Sequence, residues 1–89
     1  METRAKLGGV VLYTDSRGVD HEALVTAVWS ENCCNVVFVS DNETERDDYG
    51  RQIKRETSVQ HTSALGTVHG RVYRLLGQVK PEYKAPLAV

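Results

Sequence analysis

The side chains of this 89-residue chain that could do chemistry are two adjacent thiols, three separated histidines, a handful of serines and a run of carboxylates. Cys33 and Cys34 sit in an extended segment, so their side chains point to opposite faces, and the sequence has no further cysteine to pair with either. A disulfide framework is thereby excluded, and a tetrahedral zinc site lacks its four ligands. Reduced thiols, one of them buried as a small hydrophobe, are the expected outcome. His21, His61 and His69 are too scattered to read as ligands and are expected in surface or turn positions. Ser16, Ser30, Ser40, Ser58 and Ser63 stand outside any Gly-x-Ser-x-Gly elbow, and the glycines form neither a dinucleotide fingerprint nor a phosphate loop.

Carboxylates crowd residues 41–48, where five acids accompany Arg46. Two of them, Asp47 and Asp48, precede Tyr49-Gly50. The order of an EF-hand is missing, since that loop needs regularly spaced acids, a central glycine and a glutamate at its twelfth position. Exposed carboxylates in a polar loop also keep ordinary titration and lack the desolvated pocket that acid–base catalysis needs. Metal binding, a cofactor and an enzymatic activity are therefore not expected. The segment reads as a solvated connector or a charged partner contact.

Basic residues offer a different chemistry. Arg51, Lys54, Arg55, Arg71 and Arg74, with Tyr73 among them, are the set a single-stranded nucleic acid would meet on a small barrel. One aromatic is a thin stacking platform, and the acidic loop beside Arg51 repels phosphate, so nucleic-acid binding is the second reading. The net charge of −1 conceals a division. Residues 1–50 hold four basic against ten acidic side chains, while residues 51–89 hold seven against two. Opposite halves of this kind steer head-to-tail or subunit pairing if the fold keeps them apart, and a solvated mixture if it does not.

Positioning any of these groups falls to short β segments. Hydrophobic residues at 40% and charged residues at 26% are those of a folded globular domain, and the length allows one. No apolar run approaches the ~20 residues of a membrane span, and Met1-Glu-Thr-Arg-Ala-Lys carries no leader-like apolar stretch, so neither a membrane nor a signal peptide is expected. Leu7 to Thr14 reads as a first strand and Asp15 to Asp20 as a turn. His21 to Trp29 carries apolar groups on both faces, which suits a curved strand better than the helical turn it could also form. Cys33 to Ser40 is a core strand. Arg51 to Gln60 alternates, with Ile53, Thr57 and Val59 on one face. Thr67 to Arg74 completes the set, with Gly70 marking a bulge or a close backbone approach. Five short strands joined mainly by hairpins predict an all-β fold, a small five-stranded SH3-like barrel over residues 7–74.

Two arms flank that barrel, residues 1–6 and residues 75–89. Pro81 and Pro86 keep the second extended, yet it carries Leu75, Leu76, Val79, Tyr83, Leu87 and Val89. So apolar an arm either wraps its own barrel or lies on a neighbouring molecule, and these six residues are the expected partner interface. Arg51, Lys54, Arg55, Asp47 and Asp48 are the expected charged contacts.

The segments Ala23 to Val28, Val36 to Glu43, Asp48 to His61 and Ala64 to Gly70 carry a resemblance. With Tyr-Gly-Arg-Gln-Ile at 49–53, Ser-Val-Gln-His at 58–61 and His-Gly at 69–70, residues 7–74 resemble a group of small proteins encoded by tailed bacteriophages. The resemblance implies a virion accessory protein, one that decorates or cements the capsid exterior at capsomer junctions. Its implied partners are the major capsid protein and neighbouring copies of itself, and its implied location is the virion, after synthesis in the host bacterial cytoplasm. A head-to-tail connector or tail component is the other role such a resemblance allows.

Overall fold

The computed structural model describes residues 2–64 and 70–80. In chain order it has β1 (Val10–Thr14), β2 (Asp20–Ser30) and β3 (Cys33–Val39). A small hairpin of β4 (Arg46–Asp47) and β5 (Gly50–Arg51) follows, then β6 (Ile53–His61), a 3-10 turn (Thr62–Ala64) and β7 (Val72–Leu75). Strands β1, β2, β3, β6 and β7 close into a five-stranded barrel of SH3-like topology, with the hairpin standing apart between β3 and β6. Closure comes from β7, antiparallel to β1 and parallel to β6.

Local chemistry explains the turns. Asp15 accepts hydrogen bonds from the Arg17 and Val19 amides through Oδ1, the Asx pattern that reverses β1 into β2, and Gly18 supplies the left-handed conformation the reversal needs. Gly70 meets a harder constraint, since a Cβ there would collide with the Asp15 carbonyl oxygen. The close approach expected at this glycine pins the entry of β7 against the β1–β2 turn.

Inward-facing residues of every barrel strand form the core: Val11 and Tyr13, Ala23 and Val25, Cys34, Val36 and Phe38, Val59, and Tyr73. Three register shifts bend the sheet enough to close it. Two lie in β2, between Val28 and Ser30 and between Val25 and Ala27, the latter turning Val28 inward where simple alternation puts it opposite Val25. The third lies in β6, where Ser58 has φ 54° and two residues separate Glu56 from Val59 against one on β3. Such bulges add the twist a closed sheet requires. They also correct the alternation over residues 51–60. Val59 and His61 face inward, while Ile53 pairs with Val39 on the outer surface. Asn35 latches the arrangement, its Oδ1 accepting from the Ser58 amide and from the Trp29 indole.

Three further expectations are refined. His61 is buried and the His21 ring is largely buried, packed on Phe38, so neither is a surface residue; His69 lies outside the described residues. The acidic segment is exposed as expected but carries the β4–β5 hairpin. Leu75 belongs to the last strand, half-buried against the core, so the chain leaves the barrel one residue later than the sequence indicates. Residues 2–6 lie along the barrel base, with Ala5 in the core.

Candidate functional site

The two ends of the barrel are built differently. At the base, His61 Nδ1 accepts from the Ser63 amide, which leaves Nε2 to donate to Gln78 Oε1 at 2.8 Å. Gln78 Oε1 also accepts from the Leu75 amide, and Gln78 Nε2 donates to the Glu2 carbonyl. The Tyr73 hydroxyl donates to the carbonyl of Thr3, with that of Glu31 also in range. Burial, with a smaller contribution from Cys34, pushes the Tyr73 phenol up to about 12. Every polar group named here is spoken for, so the base is structural.

The mouth, at the end where β1 turns into β2, is open. A pocket of about 300 Å³ is lined by Tyr13, Phe38, Asp15, Arg17, Asp41, Glu45, Lys54, Glu56 and Arg71 among others. The β6 bulge is what aims Lys54 and Glu56 into it, as cross-strand partners of inward-facing Phe38 and Val36. Some of its charges are already paired. Arg17 Nη2 bridges Asp15 at 2.8 Å and Asp41 at 2.7 Å, and Lys54 lies 3.3 Å from Glu45. Burial alone would raise the Asp15 carboxyl, but hydrogen bonds from His21, Arg17 and two backbone amides outweigh it and hold the group well below the usual carboxylate range. Burial, reinforced by Glu56, pushes the Tyr13 phenol up to about 12.

Asp15, His21 and Asp41 are the one group of three metal-capable side chains among the described residues. The Arg17 guanidinium already sits on both carboxylates, and a metal would have to displace it. The trio's visible work is to tie the β1–β2 turn to the segment after β3. Among the described residues the side chains assemble no catalytic cluster.

A second surface lies outside. Val10, Leu24, Val37, Val39 and Ile53 run across the outer face of β1, β2, β3 and β6, joined by the register pairs Val10–Leu24, Leu24–Val37 and Val39–Ile53. With Glu22 they line a shallow groove of about 280 Å³. Val10, Leu24, Val39 and Ile53 are all substantially exposed. Sequence reasoning missed this band because an unbroken alternation puts Ile53 on the same face as Val59.

The residues singled out from sequence do not converge on one place. Arg51 in β5 donates to the Ser40 carbonyl and lies 4.0 Å from Glu43. Lys54 faces the mouth, whereas Arg55 lies on the outer face beside Val37. Asp47 accepts from the Tyr49 amide in the β4–β5 turn, Asp48 is exposed there, and Tyr49 is 99% exposed at its tip. Tyr73 is core, and Arg74 is buried against Asp20 at 3.0 Å. Leu76 and Val79 follow β7 and are exposed, Val79 at 89%. Tyr83, Leu87 and Val89 lie outside the described residues.

Comparison with family models, with curated proteins and with solved structures returns no match.

Proposed function

We propose that this chain is a non-enzymatic docking protein that decorates the exterior of a tailed-bacteriophage capsid, binding the major capsid protein at subunit junctions and stiffening the shell. The observation that carries this reading is the exposed apolar band of Val10, Leu24, Val39 and Ile53 on a closed, hydrogen-bonded barrel. Apolar area held rigidly on a sheet binds by burial and loses little conformational entropy on docking. The phage assignment comes from the sequence resemblance over residues 7–74. In this reading Leu76 and Val79 begin the contact that the segment through Tyr83, Leu87 and Val89 continues onto a neighbouring copy. Charged residues at the β4–β5 hairpin and Arg55 set orientation rather than affinity.

Nucleic-acid binding has less support in the fold. Of the residues the sequence offers for it, Tyr73 and Arg74 are buried and Arg51 and Lys54 face Glu43 and Glu45, while the exposed Tyr49 stands beside Asp47 and Asp48, which repel phosphate.

The test is quantitative mass spectrometry of particles purified from a lysate of the source, counting this chain against the major shell protein. Near-stoichiometric copies are expected, and a few copies per particle move the assignment to a neck or tail component. Absence from particles overturns the structural reading. On shells reconstituted with added protein, the double variant Leu24→Asp, Ile53→Asp should stay folded and lose occupancy at least ~10-fold, as expected for removal of a buried apolar hot spot.

A further inference from the structure

The mouth of the barrel holds a set of groups that the fold leaves unused. Parallel pairing of β6 with β7 covers Gln60–Val72 and His61–Tyr73, so toward Lys54 the two strands part and the pocket opens between β6 and β1. Asp15, Asp41 and Arg17 satisfy one another there, as do Lys54 and Glu45. Three lining groups have no such partner among the described residues. Tyr13 is 1% exposed, yet its hydroxyl makes no hydrogen bond, and Glu56 and Arg71 make no ion pair. The side chain is buried but its hydroxyl is not, since no buried polar side-chain atom among the described residues goes without a partner. Since the hydroxyl is not sealed in the core, it reaches the pocket it lines. Arg71 is held at the rim in a left-handed conformation, directly after the glycine wedged against Asp15.

We propose that this pocket binds a small zwitterion of the α-amino-acid type, its carboxylate on Arg71, its ammonium on Glu56 and the Tyr13 hydroxyl between them. The reasoning is one of charge complement. A simple anion would satisfy Arg71 but face Glu56, Asp15 and Asp41, and a simple cation would satisfy Glu56 but face Arg71 and Lys54. One ligand carrying both charges a few bonds apart pairs both idle groups at once. The Phe38 ring offers the ligand's side chain a short apolar wall, and about 300 Å³ suits a single residue rather than a folded partner. This site is separate from the outer apolar band and does not depend on what the band docks against.

Thermal-shift and calorimetric titration of the full chain with each of the twenty free amino acids tests the proposal, with acetate and methylammonium as half-ligands. At least one amino acid should bind saturably at or below about 10 mM, a weak but measurable affinity, with both half-ligands ~10-fold or more weaker. Tyr13→Phe should weaken that binding ~5-fold, and Glu56→Gln and Arg71→Gln ~10-fold or more each, as lost charge-assisted contacts do. No saturable binding by any amino acid overturns the site. So does binding of equal strength in wild type, Glu56→Gln and Arg71→Gln. A fall in ligand-free melting temperature in both charge variants, with no amino acid bound by the wild type, identifies Glu56 and Arg71 as an ordinary ion pair and also overturns it.

Discussion

Tyr13 and Tyr73 stand opposite one another on β1 and β7, both buried, and differ in what their hydroxyls do. Tyr73 turns toward the base, packs edge-on against His61 and donates to the backbone of the entering chain. Tyr13 turns toward the mouth, packs on Phe38 and donates to nothing among the described residues. Two residues of one type, equally buried and directly paired, thus separate the part of the barrel that holds it together from the part free to meet something else. A spent hydroxyl at one end and an idle one at the other distinguish structure from opportunity better than burial does.

The harshest way to break this contrast is to disturb the point where mouth and frame meet. Gly70→Ala places a Cβ against the Asp15 carbonyl oxygen at a φ of 94°, and should cost about 3 kcal/mol or more in urea unfolding, the range of a backbone clash joined to a strained dihedral. The contrast itself is measured by two conservative changes. Tyr73→Phe leaves the Thr3 carbonyl without its donor and should cost about 1–2 kcal/mol, whereas Tyr13→Phe removes an unused hydroxyl and should stay within about 0.5 kcal/mol. Equal losses in both would erase the distinction between the two ends.

Acid sharpens it further. Burial alone would raise the Asp20 carboxyl, but hydrogen bonds from Arg74, Thr14 and Lys80 hold it at about 2. Arg74 in turn donates through Nε to the Gln78 carbonyl, so this carboxylate at the start of β2 ties the β1–β2 turn to β7 and the segment after it. A folded value below the unfolded one of about 3.9 gives stability that is complete above pH 4 and is lost as pH falls toward 2. Urea midpoints at pH 5, 3 and 2 should therefore drop more steeply for the wild type than for Asp20→Asn. The smallest effect belongs to the hairpin tip. Tyr49→Ser should change stability by less than about 0.5 kcal/mol, because the side chain is 99% exposed and touches no frame.

The barrel could be read from sequence because its strands announce themselves. Val10 to Thr14 and Cys33 to Val39 are dense in β-branched residues and bounded by turn chemistry, and five such segments in so short a chain leave little choice but closure. Gly70 was legible for the same reason, as a glycine interrupting a strand pattern. What lay beyond reach was the parity of side chains after a bulge. One extra residue at Ser58 exchanges inside for outside along half of β6, and its latch is Asn35, 23 residues earlier. Glu56 and Ile53 consequently read as members of the wrong faces, and they belong to the two surfaces of most interest. Burial of His61 was hidden likewise, because Gln78 and Ser63, which satisfy its ring, come together only when β7 and the following turn are in place.

The way the barrel closes also bears on how it must be made. Val11 pairs with Leu75, so the last of the described strands is the one that seals the first. A nascent chain that has not yet released residues 72–75 can form the β1–β2–β3–β6 sheet but leaves both of its outer strands open to pairing with other molecules. Contacts this distant along the chain close slowly. A chain that stops ahead of Val72 is therefore expected to aggregate through its two open strand edges rather than fold as a smaller domain, which the soluble fraction of such a truncation would check.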